Sequence, residues 1–291
     1  MAHKNQSNWS PYKARKDAKS ASSKAAGKPT GKSGKPAPGS KPEAPTRHRK
    51  SSESYSFNQA DDRIQDVFRN HGFEDYPHAK RQKLTQFYML LMSNQNERNF
   101  TRLLNIRDVA IKHFIDSLIV ANLRPLMFPL IDMGTGPGFP GIPLAIHHPD
   151  KKVILAEGVQ KRVEFLKSVR EELDLPNLPI IGRNLNAEFF YPVNGVITRA
   201  VEDARNTLGN VINSIQTGGE VVLMKGPNCT PEIQMALDAW GEYFSLAADI
   251  EYELPKSPHQ RRLLVFKKLK PHPLPDFEAL DLKWEREFGQ E

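Results

Sequence analysis

The sequence predicts an α/β protein with a helical segment packed ahead of its sheet. Three observations predict it. From residue 128 onward, short apolar strands alternate with amphipathic helical stretches. A glycine-rich turn, Gly134 to Gly141, follows the first strand at once. The alternation closes on two strands with no crossover helix between them, so that pair is antiparallel.

The elements follow in order. Residues 1–55 are rich in Lys, Ala, Ser, Gly and Pro and almost empty of large apolar side chains. Such a segment cannot bury enough surface to offset its ordering entropy, so a disordered tail is expected. A first helix places Ile64, Val67 and Phe68 on one face and stops at Gly72. A second, over 77–93, repeats Leu84, Phe87, Tyr88 and Leu91 at helical spacing. Asp108 is the expected cap of a third, with Ile111, Phe114, Ile115, Leu118 and Ile119 inward. These three form a helical cap over 56–124. The main domain spans 125–270, and 271–291 is an extension with a short charged helix around Trp284.

Within the main domain, strand one covers 128–133 and strand two covers 153–156, ending at Glu157. A helix over 159–173 stops at Pro176. Ile180 and Ile181 make a short third strand before Arg183. Strand four, 195–198, leads into Arg199. A helix over 203–216 is expected to stop at Gly218 and Gly219. Strand five, 221–224, ends at Lys225. A helix over 231–240 precedes the closing strands, 245–254 and 261–268.

Composition narrows the function classes. The net charge of +7 hides a division. Residues 1–50 carry +11 and the remainder −4. No apolar run is long enough to span a membrane. The lone Cys229 excludes an internal disulfide and a cysteine metal site. No metal is expected, and a reducing, cytoplasmic setting is the natural reading.

The stretch Gly136-Pro137-Gly138-Phe139-Pro140-Gly141 fits the dinucleotide fingerprint in spacing, and Glu157 lies where that fingerprint expects an acid for a ribose. A pyrophosphate, however, needs backbone N–H donors at a helix N-terminus. Pro137, Pro140 and Pro143 supply none. A nucleoside ligand without phosphates avoids that conflict, and S-adenosyl-L-methionine (AdoMet) is one.

Three longer motifs run from Lys112 to Ser117 (KHFIDS), Asp132 to Leu144 (DMGTGPGFPGIPL) and Lys161 to Leu166 (KRVEFL). Thr198-Arg199-Ala200, Lys225-Gly226 and Arg262-Leu263-Leu264-Val265 add to them. On these motifs the chain resembles, over residues 99–268, the RsmG (GidB) family of small-subunit ribosomal RNA guanine-N-7 methyltransferases. The resemblance implies a class I AdoMet methyltransferase fold, a seven-stranded sheet whose last strand is antiparallel. It implies a cofactor site at Gly134, Phe139, Asn184, Leu185 and Arg199. Gly136 and Glu157 join it on physical grounds: bare backbone for the methionine part and a carboxylate for the ribose hydroxyls. Glu157 stands where the family has Asp, and Asn184-Leu185 replaces a small apolar residue followed by an acid. The family's Asn-Leu-Thr finds only Asn99-Phe100-Thr101. His113 and Lys225 are the substrate-side candidates, with ribosomal RNA or a ribosomal particle as partner and a monomer expected. No catalytic base is assigned. Two other readings are a dinucleotide-binding enzyme and a ribosome-assembly factor that retains the fold without catalysis.

A tail this basic would neutralise RNA phosphates without reading sequence. Deleting residues 1–50 should weaken binding to all RNAs alike. For every phosphate that the tail neutralises, its deletion should flatten the slope of log affinity against log salt by roughly 0.7 to 0.9. A salt series on full-length and truncated protein checks this; an unchanged slope contradicts it.

Overall fold

The computed structural model describes residues 54–95 and 100–273. The expectations for residues 1–53, for Asn99 and for the helix around Trp284 lie outside the described residues.

Helix α1, Phe57–Asn70, starts on a capping box in which Ser56 and Gln59 satisfy each other's backbone N–H groups. It ends as expected at Gly72, whose φ of +78° lets the Phe73 N–H donate back to the Phe68 carbonyl at 2.9 Å. Helix α2 is His78–Ser93. The two are tied by a buried ion pair that no local sequence pattern marks. Arg81 donates to both Asp61 carboxylate oxygens at 3.1 and 3.0 Å, and the Thr85 hydroxyl adds a bond of 2.9 Å. Helix α3 runs through Ile106–Val109, a π-helical stretch Ala110–Ile115 and then Asp116–Leu123. Its cap is Asn105, not Asp108: the Asn105 side chain accepts from the Arg107 and Asp108 N–H groups. The five apolar residues expected to face inward are all buried.

The sheet begins with β1, Leu130–Met133. There follow α4 (Gly141–His147), β2 (Val153–Ala156) and α5 (Gln160–Glu172). Then come β3 (Ile180–Ile181), β4 (Val193–Arg199) and α6 (Ala204–Val211). The chain closes with β5 (Ile215–Lys225), α7 (Thr230–Trp240), β6 (Phe244–Glu253) and β7 (Gln260–Lys268). The strand order is β3-β2-β1-β4-β5-β7-β6. β7 alone runs against its neighbours. The order reverses between β1 and β4, the switch point at whose carboxyl ends sheets of this kind bind ligands.

One further local expectation fails for a physical reason. The helix read to residue 216 ends at Val211, and Gly218 and Gly219 lie inside β5, not at a helix stop. They fall where the β4–β5 register shifts, because glycine accommodates a bulge as readily as a turn. Helix α5 stops before Pro176. Asp174 takes φ of +47° and the Leu175 N–H closes the helix onto the Arg170 carbonyl.

Side chains alternate across the sheet. Leu130, Leu155, Ile197, Val222 and Val265 face one core, shared with α4, α5 and all three cap helices. Ile131, Ile154, Val196, Leu223 and Phe266 face a second core under α6 and α7. The cap also clamps helix ends by charge: Lys83 donates to the Leu173 and Asp174 carbonyls, and Lys80 to that of His147.

Replacing Arg81 by Met should destabilise the fold by about 3 kcal/mol, because Asp61 is left buried without its counter-charge. Urea denaturation checks this; a change below about 0.5 kcal/mol, ordinary for a surface position, contradicts it.

Candidate cofactor loop and substrate cleft

The loop after β1 is built by two carboxyl groups. Asp132, fully buried at the end of β1, accepts from the Thr135 hydroxyl at 2.5 Å and from the Gly141 N–H at 2.7 Å. It thereby holds both ends of the glycine turn. Its other oxygen, Oδ1, is buried with no partner. Burial pushes the pKa of this carboxyl up to about 6, against the two hydrogen bonds. Glu157, at the end of β2, accepts from the Gly136 N–H and the Val159 N–H, each at 2.9 Å. Arg162 stands 3.5 Å away. Each Glu157 oxygen retains acceptor capacity beyond these bonds.

Gly134 and Gly136 adopt φ of +67° and +62°, a region that side-chain-bearing residues rarely enter. A Cβ at Gly136 would meet nothing within 4 Å, whereas one at Gly134 would lie 2.6 Å from Val201 Cγ2. Bare backbone is therefore exposed at Gly136, and an exposed valine overhangs Gly134. The Asn184 side chain lies over Gly158, beside Glu157. Leu185 and Phe139 are core residues, 4 % and 3 % exposed. What they could offer a ligand is backbone, not side-chain surface.

A second feature adjoins the loop. A cleft of about 400 Å³ lies between α3 and the carboxyl ends of β4 and β5, with β7 on its far side. Lys112, His113, Asp116, Arg199, Lys225 and Arg261 line it. The two substrate-side candidates, His113 and Lys225, thus meet in one place, and Arg199 joins them. Sequence reasoning passed over Asp116, although it lies in the KHFIDS motif, and Arg261, which no local pattern marks. The π-helical turn carries Lys112 and His113, an irregularity common at functional sites.

Arg199 is held on three sides. One amino group donates to the Lys112 carbonyl at 3.0 Å and to Asp116 at 3.3 Å. The other faces His113 Nδ1 at 3.1 Å. An arginine can only donate, so Nδ1 is the acceptor and the ring proton sits on Nε2, directed to the Thr101 hydroxyl at 3.3 Å. The ring stacks on Phe139, with centroids 4.2 Å apart. Burial, and then the neighbouring Arg199 charge, push the pKa of the His113 imidazole down to about 3. It is neutral, with both nitrogens committed. Lys225 pairs with Glu232 at 2.7 Å and donates to the Glu202 carbonyl at 2.6 Å. Among the described residues no cluster of three or more metal-ligating side chains occurs, and no helix is long and apolar enough to cross a membrane.

A seven-stranded sheet with one reversed strand, a glycine loop after β1 and an acid after β2 define the α/β fold of class I AdoMet methyltransferases. The chain belongs to the GidB family, described as rRNA small subunit methyltransferase G, whose family model matches residues 80–247. It is 58% identical over 230 residues to "Ribosomal RNA small subunit methyltransferase G 2" of Bdellovibrio bacteriovorus, covering 79% of this chain and 90% of that protein. It is 35% identical over 201 residues to "Ribosomal RNA small subunit methyltransferase G" of Carboxydothermus hydrogenoformans, covering 67% and 86%. Among solved structures, a methyltransferase from Pyrococcus furiosus aligns with a TM-score of 0.46 at 14% identity, covering 65% of this chain and 100% of that one.

At Gly136 the space beside the backbone is open, since a Cβ there would meet nothing within 4 Å. Gly136→Ala should fold, at a cost of roughly 1 to 2 kcal/mol for the left-handed backbone. It should weaken AdoMet binding at least tenfold by calorimetry. Unchanged affinity in a folded Gly136→Ala protein would place the cofactor elsewhere.

Proposed function

We propose that the protein transfers a methyl group from AdoMet to N-7 of a guanine in small-subunit ribosomal RNA. Family membership supports the reaction and the RNA class. The observation that supports N-7 is the absence of a usable base among the described residues lining the cleft. His113 is neutral, poorly basic and bonded at both nitrogens, and Asp116 is occupied by Arg199, Arg261 and Tyr252.

The backbone at Gly134 and Gly136 and the Glu157 carboxylate would hold the cofactor, with Asn184 beside the Glu157 rim. Phe139, Leu185 and Arg199 belong to the same set through position, not through a free apolar surface. Bound there, AdoMet supplies an electrophilic methyl group on a positively charged sulfur. Guanine N-7 brings a free lone pair and no proton, so the chain need only orient the base and exclude water. An exocyclic amine would instead leave a proton for the chain to remove. The cleft is open to an exposed base, as a base-modifying enzyme requires. His113 and Lys225 are its substrate-side residues, and a basic rim suits a phosphate-bearing partner.

Single-turnover methylation of small-subunit RNA, followed by mapping of the product base, tests this. The chemical step should be nearly flat from about pH 6.5 to 8.5. His113 stays neutral throughout that range, since its pKa lies near 3, and Asp132 is ionised above about 6. Methyl on an exocyclic nitrogen, or a tenfold rise with one pKa near neutrality, would contradict N-7 as acceptor.

A further inference from the structure

Two guanidinium groups share one carboxylate at the base of the cleft. Asp116 is 1% exposed, at the start of the last segment of α3. Its Oδ2 lies 3.3 Å from Arg199 and 3.7 Å from Arg261. Its Oδ1 accepts from the Tyr252 hydroxyl at 3.1 Å. The group thus ties α3 to β4, β6 and β7. The other cations of the cleft are matched one for one, Lys112 by Asp108 at 2.9 Å and Lys225 by Glu232 at 2.7 Å. His113 is neutral. One positive charge on the Arg199–Arg261 pair has no partner among the described residues.

The donor inventory agrees. Arginine carries five N–H donors in a planar fork that matches phosphate oxygens. Arg199 commits three, to the Lys112 carbonyl, Asp116 and His113. Among the described residues the Arg261 side chain makes one hydrogen bond, to the Gln260 carbonyl. Several donors therefore remain on side chains 17% and 27% exposed, reachable yet partly withdrawn from water.

We propose that Arg261 forms a subsite for a single RNA phosphodiester beside the target guanosine, with Asp116, which Arg199 also engages, as the positioning residue that fixes its guanidinium. This rests on the reading of the protein as an RNA methyltransferase. One phosphodiester carries the one negative charge the pair lacks. The same chemistry could come from the cofactor's carboxylate. Position favours RNA: β4 and β5 stand between β1, which carries the glycine loop, and β7, which carries Arg261. Three strand spacings separate the two, roughly 14 Å.

The test uses the full chain. RNA affinity is measured across a salt series, AdoMet affinity by calorimetry, and methylation by product mapping. Arg261→Gln should weaken RNA binding about tenfold. It should lower the salt slope by roughly 0.7 to 0.9, the share of one phosphate, and leave AdoMet binding unchanged. Arg261→Lys should restore the slope, since it restores the charge, but only part of the affinity. An unchanged slope in Arg261→Gln overturns the subsite. A loss of AdoMet affinity with intact RNA binding overturns it in favour of the cofactor's carboxylate. Failure of the wild type to methylate the RNA overturns the functional reading instead, and the subsite with it. Asp116→Asn separates positioning from charge by sign. If Asp116 positions Arg261, affinity falls although the cleft gains positive charge; tighter binding contradicts that role. Tyr252→Phe provides a variant that keeps every charge. It should raise KM for RNA a few-fold at unchanged kcat and AdoMet affinity, and an unchanged KM contradicts the positioning role.

Discussion

A carboxyl group withdrawn from water must be matched by donors, and three such groups hold this site together. Asp132 matches itself to the start of α4 and to Thr135, and so closes the glycine turn. Glu157 takes the Gly136 and Val159 N–H groups, and so sets the turn against β2. Asp116 takes Arg199, Arg261 and Tyr252, and so sets the cap against the far half of the sheet. Asp132 and Glu157 lie at strand ends, where backbone donors gather, and Asp116 lies within α3, facing donors from three strands. Removing any one would strand a charge or free a loop, so the architecture and the site are specified by the same contacts.

That arrangement explains why a helical cap precedes the sheet. Without α3, the carboxyl ends of β4 and β5 would face water and Arg199 would be a solvated surface residue. With it, Arg199 is anchored on the Lys112 carbonyl and Asp116 and lies over Phe139, 5.5 Å from the ring centroid. His113 becomes an acceptor for that arginine and loses its basicity. A residue type often associated with acid–base catalysis is thereby converted into a fixed, neutral wall. This suits an acceptor nitrogen that arrives with no proton to lose.

The architecture was largely readable from the sequence because its signals are local. Apolar runs marked the strands, and the absence of a helix before the last strand fixed its antiparallel sense. The misreadings were also local. Asn105 and Asp108 are equivalent as capping residues, and only the path of the chain decides between them. Gly218 and Gly219 punctuate equally well as a turn or as a bulge. In the site, Gly134, Gly136 and Glu157 were readable because spacing brings them together. Phe139 and Leu185 are core residues whose side chains turn away from the surface, which no local pattern announces. The Arg199–His113 contact joins residues 86 positions apart, and Arg261 reaches Asp116 from the last strand. Nothing local encodes such pairings.

The central claim is that the glycine loop presents AdoMet to a guanine N-7 held in a cleft without a base. The most direct measurement is mass mapping of 7-methylguanosine in the small-subunit ribosomal RNA of the host, with the gene present, deleted and restored. The account predicts one 7-methylguanosine that disappears on deletion and returns on restoration. Unchanged 7-methylguanosine in the deleted strain, with loss of a different methylated base, would contradict it.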